Sequence, residues 1–265
     1  MGSWTSCALV VLLLVSALPR TADAQQQEQA PEGIEIGLST DTVFITSDFS
    51  GANLTIFGAL DNIDPLISRQ GGYDIIVVLE GPRRPAVVRK KTRVLGMWIN
   101  TQSMTFRDVP ASYSVALTRH PQDITDAANY RRLSLRAENI NFQAVDPGST
   151  AETVEEFNAA LRGRMEEVGL YDERVGGVQF LSRNLFRATL HLAPNVPVGT
   201  HRARAFLFRT GLFVRETSAA LTIRKAGAEQ RVFELAHQSS FLYGLFAVFL
   251  AMMTGWIGRI VFRKD

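Results

Sequence analysis

Few residues in this 265-residue chain have the type and spacing that catalysis or metal binding requires. The four histidines are His120, His191, His201 and His237. His191 and His201 flank the turn Pro194–Gly199, where two facing imidazoles could hold a metal ion. Their phases keep them apart. His191 falls with Arg187 and Thr189 on the polar phase of its strand, while His201 falls with Ala203, Ala205 and Leu207. Side chains on opposite faces of extended strands cannot share an ion. No metal site is expected, and His201, in the pattern Pro197 to His201, reads as a structural residue opening a strand. Nucleophilic chemistry has little support either. Cys7 is the single cysteine, and the chain has no G-x-S-x-G elbow, H-E-x-x-H, P-loop or G-x-G-x-x-G. The carboxylate pairs Glu155-Glu156 and Glu166-Glu167 fall on the polar face of a helical segment, where solvation is the simplest role. The expectation is no enzyme, no catalytic residue and no cofactor.

Two features point to contacts instead. Arg83, Arg84, Arg89, Lys90, Lys91 and Arg93 put six cations into eleven residues. They read either as a patch for anionic lipid or an acidic partner, or as an exposed hairpin whose charges protect a sheet edge. Near the C-terminus Ala247, Ala251 and Gly255 recur every four residues, a spacing that lets transmembrane helices approach closely. The net charge of +2 lacks the basic excess of a nucleic-acid binder, so none is expected as a partner.

Both ends of the chain suggest export. Ala8 to Leu18 is apolar, Pro19 and Arg20 break the run, and Ala22-Asp23-Ala24 supplies an A-x-A site. Residues 1–24 therefore read as a signal peptide, although Met1 to Cys7 holds no Lys or Arg. Its removal would leave no cysteine, as suits an oxidising compartment. Ser239 to Gly258 carries no charge over 20 residues, and Arg259, Arg263 and Lys264 follow. This reads as a transmembrane helix over 241–262 with the short tail 263–265 in the cytoplasm, Tyr243 and Trp256 near its ends. The expected location is the inner membrane, single-pass, with the preceding chain in the periplasm.

The exported part reads as mainly β. After a flexible leader over 25–32, alternating apolar residues mark short strands such as Ile34 to Leu38, Leu54 to Gly58, Val94 to Ile99 and Ser112 to Leu117. Ile75 to Leu79 is continuously apolar, as in a strand buried on both faces. Val154, Phe157, Leu161, Met165 and Val168 form one stripe of a helix over 149–170, capped by Ser149 or Thr153 and ended at Gly169. The expected fold is two immunoglobulin-like β-sandwich units with a helical insertion, followed by one C-terminal transmembrane helix. The first unit spans 33–122, the insertion 123–178, the closing strands of the second unit 179–226, and a linker 227–240.

Four stretches carry a resemblance: Ile36–Leu60, Gly71–Asn100, Leu192–Gly211 and Leu242–Asp265. In these the chain resembles the alphaproteobacterial putative transmembrane protein family, over nearly all of the sequence after residue 24. The resemblance implies a signal peptide, an exported β-rich domain and one C-terminal anchor. It also implies gene neighbours resembling sulfite-exporter-type permeases. It brings no catalytic or binding residue with it. His201 departs from the aromatic, such as Tyr, expected there.

These readings lead to a membrane-anchored periplasmic protein acting as an interaction or accessory subunit for a polytopic inner-membrane partner such as a permease. The alternative is a periplasmic sensor or small-anion-binding module. Arginines lining a closed pocket would favour the alternative, and an open sandwich would favour the first reading. A cleft of converging polar side chains would revive an enzyme.

Overall fold

A computed structural model describes residues 31–46, 48–145, 148–226, 244 and 248–256. The chain divides into Met1–Pro31 and a compact unit, Glu32–Asp265, to which everything below belongs. The expected signal peptide, most of the leader, the linker 227–240 and the tail 263–265 lie outside the described residues.

Continuous apolar runs at the centre of the unit dictate its layering. β4 (Tyr73–Glu80) is buried at every position. Ile75, Val77 and Leu79 enter one hydrophobic core, and Ile76 and Val78 enter another. β12 (Gly199–Arg209) does the same, with Ala203, Ala205 and Leu207 on one side and Phe206 and Phe208 on the other. Successive side chains of a strand point to opposite faces, so an unbroken apolar run needs a core on each side. These two strands pair antiparallel at the middle of a six-stranded sheet. Its order is β2 (Thr42–Ile45), β13 (Leu212–Lys225), β12, β4, β7 (Tyr113–Leu117) and β9 (Tyr171–Val175). The pairs β13–β2 and β7–β9 are parallel and the others antiparallel.

One core is closed by a four-stranded sheet in the order β1 (Gly33–Leu38), β3 (Ala52–Asp61), β11 (Leu185–Leu192) and β10 (Val178–Phe180). Alternation shows its one-sidedness: Leu54, Ile56 and Leu60 are buried, while Asn53, Phe57 and Asp61 are exposed. The other core is covered by a three-stranded sheet and helices. β5 (Arg83–Val94) pairs with β6 (Met97–Pro110), and β6 with β8 (Gln143–Ala144). After β7 come α2 (Pro121–Ile124) and α3 (Ala127–Arg132), while α1 (Pro65–Arg69), between β3 and β4, packs Ile67 against the first core instead. The long helix α4 (Ala151–Glu167) follows β8 and buries Phe157 and Leu161, with Val154 and Met165 partly covered. Its cap is Thr150, whose Oγ1 accepts from the Thr153 amide at 3.3 Å, rather than Ser149 or Thr153.

The expected fold is corrected in two respects. The strands do not form two sandwich units. β11 sits against β3, and β12 against β4, so strands from before and after the helices interleave in both sheets. Alternation reveals which face of a strand is apolar but not which strand lies beside it. The expected C-terminal transmembrane helix over 241–262 is also not supported. Among the described residues no helix is long and apolar enough to cross a membrane. The described helical residues there are 244 and 248–256. The leader's last residue, Glu32, is held by the Tyr73 hydroxyl at 2.6 Å and by Arg209 at 3.0 Å.

Burial on both faces has a direct consequence for stability. Ile75→Ala and Ile76→Ala empty opposite cores and are each expected to cost about 2–5 kcal/mol in urea unfolding. Val87→Ala, at a 56%-exposed position, should change stability by less than about 0.5 kcal/mol. A cost at only one of the two isoleucines would contradict the two-core arrangement.

Candidate functional site

The side chains able to do chemistry gather where β4 turns into β5. His201 is completely buried, and its Nε2 lies 3.2 Å from Ser112 Oγ. Its Nδ1 lies 3.3 Å from the Gly199 carbonyl oxygen. A carbonyl only accepts, so Nδ1–H donates to Gly199 and Nε2 is left to accept from the Ser112 hydroxyl. The Gly81 backbone passes directly over this pair. A Cβ on Gly81 would stand 2.4 Å from Ser112 Oγ and 3.2 Å from His201 Nε2. The Gly81 amide also donates to the Ser112 carbonyl at 2.8 Å. A serine beside a histidine can act as nucleophile and base. Here the imidazole is oriented by a main-chain carbonyl, lies out of reach of solvent, and sits beneath a backbone crossing. The pair is a latch that holds the β4–β5 turn against the start of β12. The structural role read for His201 matches this placement. Its partner, 89 residues away, had no local sequence signal.

Beside the latch, Glu80, Gly81, Arg83, Arg202, Arg204 and Glu216 line a hollow of about 560 Å³. Arg202 and Arg204 alternate with Ala203 and Ala205 along β12, which turns both toward the same side. Arg204 grips Glu216 with two bonds of 2.7 and 3.1 Å and lies 4.7 Å from the centre of the Phe206 ring. Arg83 Nη2 lies 2.5 Å from Glu80 Oε1, an ion pair without hydrogen-bond alignment. Two of the three guanidiniums are therefore neutralised by carboxylates of the same hollow. The alternation of Arg202 and Arg204 was legible in the sequence. Glu216 as a partner was not, because the pairing of β12 with β13 decides it.

The six cations of the basic segment all fall on β5, but the structure separates them. Arg83 and Arg84 stay at the body, the latter donating to the Val198 carbonyl at 2.9 Å. Arg89, Lys90, Lys91 and Arg93 lie on the outer half of the β5–β6 hairpin. Lys90 Nζ is 2.5 Å from Glu156 Oε1 on α4. Arg89, Lys91 and Arg93 have no carboxylate partner among the described residues. Val94 to Ile99, read as one strand, instead contains the hairpin turn at Leu95-Gly96. Other candidates are apart from this region. His191 lies 3.3 Å from Asn53 Oδ1 in the four-stranded sheet. Glu155 pairs with Arg162 at 3.2 Å, and Glu167 with Arg164 at 2.7 Å. Glu166 has no ion pair among the described residues. Ala251 and Gly255 are exposed on the helical run 248–256, and Ala247 lies outside the described residues.

Burial holds the His201 pKa below the usual histidine value, with the Arg84 charge adding to the depression and the Gly199 bond opposing it. Below about pH 6.5 the unfolded chain takes up a proton that the folded protein resists, so folding stability falls with pH through that range and levels off below the depressed folded value. Thermal melts between pH 8 and 5 should show this decline, and His201→Gln should flatten it. An identical slope in the two proteins would show that His201 does not titrate against burial.

The family described as putative transmembrane protein matches residues 33–264. Comparison with curated proteins gave no match. Among solved structures, AggA, the major subunit of aggregative adherence fimbriae type I from Escherichia coli, is 9% identical, with 75% of this chain and 97% of that one covered and a TM-score of 0.26. A family 123 glycoside hydrolase from Clostridium perfringens, studied for glycolipid glycan hydrolysis, is also 9% identical. There 73% of this chain and 27% of that one are covered, with a TM-score of 0.23. Likenesses this low carry no argument about fold or role.

Proposed function

The chain belongs to this family of putative transmembrane proteins, and on that premise we propose that it is a non-enzymatic interaction protein, an accessory subunit for a polytopic inner-membrane partner such as a permease. Its β-rich unit acts on the periplasmic side. The export reading rests on the apolar run Ala8 to Leu18 with its A-x-A site, and on the absence of cysteine after Cys7.

The observation that carries the reading is the ion pairing inside the arginine-lined hollow. A small-anion module needs guanidiniums free to meet the anion, held in an enclosed site. Arg204 already has its carboxylate in Glu216, and Arg83 has Glu80. An incoming anion would have to displace both carboxylates or rely on Arg202. The Ser112–His201 pair supports the same reading, since a buried latch under a backbone crossing offers no approach to a substrate. These two observations favour the surface of the folded unit as the part that makes the contact.

In-cell crosslinking and mild-detergent purification of the tagged full chain test this. The expected result is recovery of one polytopic membrane protein in near-stoichiometric amount. The reading is overturned if no such protein is recovered while sulfate or phosphate raises the melting temperature of the wild type and not of Arg202→Gln.

A further inference from the structure

The outer half of the β5–β6 hairpin exposes a cluster of large apolar side chains. Beyond Val88 and Met104, where the ribbon still touches the second core, residues 89–103 extend from the body, tied back to α4 by the Lys90–Glu156 ion pair. Thr92 alone among them is half-buried and the others are exposed. Six residues of β5 in this part carry it about 20 Å outward at 3.4 Å each. Its end is apolar. Leu95 is 95% exposed, Trp98 69%, Met97 65%, Ile99 44% and Val94 41%.

The turn itself is unusual. Leu95 and Gly96 have φ of 50° and 86°. A two-residue hairpin with both central residues left-handed selects Asn or Asp followed by Gly, because a side chain such as leucine is disfavoured there. This position therefore combines backbone strain with a fully exposed aliphatic side chain. The left-handed pair closes the hairpin at Val94–Met97, but the Leu95 side chain meets nothing within the folded unit, which leaves it free for a surface outside.

The register shows what kind of counterpart fits. Val94 lies opposite Met97, and Thr92 opposite Ile99, so these four share one face of the ribbon. Arg93 lies opposite Trp98 on the other face, and Leu95 caps the end. Apolar groups thus point to both faces and forward. A protein surface meets one face of a ribbon, whereas a lipid interface surrounds it. Residues 83–103 include no Asp or Glu, and Arg89, Lys91 and Arg93 follow directly behind the apolar end. From the turn inward, Leu95, Val94 and Met97 come first, Arg93 and Trp98 share the next level, and Lys91 and Arg89 lie behind, an order that matches a bilayer surface in which Trp and an arginine that reaches up to the phosphates share the interfacial zone. The free outer backbone groups of the two-stranded ribbon keep the insertion shallow, since they need water or headgroup partners.

We propose that the tip of the β5–β6 hairpin, Val94 to Ile99, inserts into the interface of an anionic lipid membrane, with Arg89, Lys91 and Arg93 on the phosphate headgroups. This goes beyond the accessory role above by giving the folded unit a lipid contact of its own.

The test is a local probe in the full chain. Leu95→Cys, in a Cys7→Ser background, is labelled with an environment-sensitive fluorophore and reconstituted with vesicles. Leu212→Cys, on the β12–β13 hairpin and 64% exposed, is the control. In equimolar phosphatidylglycerol and phosphatidylcholine, the probe at 95 should be shielded from iodide and quenched by lipid-borne nitroxide, while the probe at 212 stays open to iodide. Pure phosphatidylcholine or 1 M salt should restore iodide access at 95. Arg89→Gln, Lys91→Gln and Arg93→Gln together should weaken the lipid contact by on the order of tenfold or more. All of these positions are exposed, so an unchanged melting temperature confirms that the variants fold. Equal iodide access at 95 with and without anionic lipid overturns the proposal. So does shielding that appears only when a copurified protein is present, which would assign the tip to that protein. Copurification of a membrane partner is read separately, so failure of the lipid contact leaves the accessory role standing, and the reverse.

Discussion

Burial of β4 and β12 on both faces is the constraint on which the rest of the unit depends. An apolar strand with two covered faces requires two coverings, and the chain supplies them from different places. The four-stranded sheet closes one side with strands drawn from both ends of the unit. The base of the β5–β6 hairpin, β8 and the helices close the other, where Phe106, Phe142, Phe157 and Leu161 meet Phe206 and Phe208. Neither half of the chain could build a sandwich alone, because β3 needs β11 and β4 needs β12.

This layering governs where polar groups can go. At the start of β4, Asp74 is buried and forms an ion pair with Arg119, which donates from Nε at 2.8 Å, while Thr118 Oγ1 donates at 2.8 Å. The β4–β7 register, in which Ile76 faces Leu117, leads directly to that meeting. At the other end His201 and Ser112 satisfy each other beneath Gly81. Polar groups inside a two-core sheet must find partners within the protein, since unpaired burial is costly. Asp74 and His201 both meet that requirement through partners distant in sequence.

The β5–β6 hairpin is the counterexample. It leaves large apolar side chains in water around a left-handed turn, where the charge is all of one sign. The contrast with the β12–β13 hairpin is instructive: Thr210-Gly211 makes the same left-handed pair at its turn, but with a small polar residue in the first position.

Much of the local structure was written in the sequence. The run Ile75 to Leu79 required burial on both faces, the stripe Phe157 and Leu161 required a helix, and strand phase alone kept His191 from His201. Each follows from periodicity, which a single segment carries by itself. What only the tertiary structure decided depends on which segments meet. One interleaved unit in place of two sandwiches, Ser112 beneath His201 and Glu216 against Arg204 all follow from pairing between strands. The Leu95-Gly96 turn was hidden for a related reason: leucine is not a turn residue, and the apolar letters on either side read as one strand until the backbone reversed between them. Periodicity assigns a face to each residue. Register between segments assigns its neighbour, and that is fixed by the joint packing of both cores rather than by any one stretch of chain.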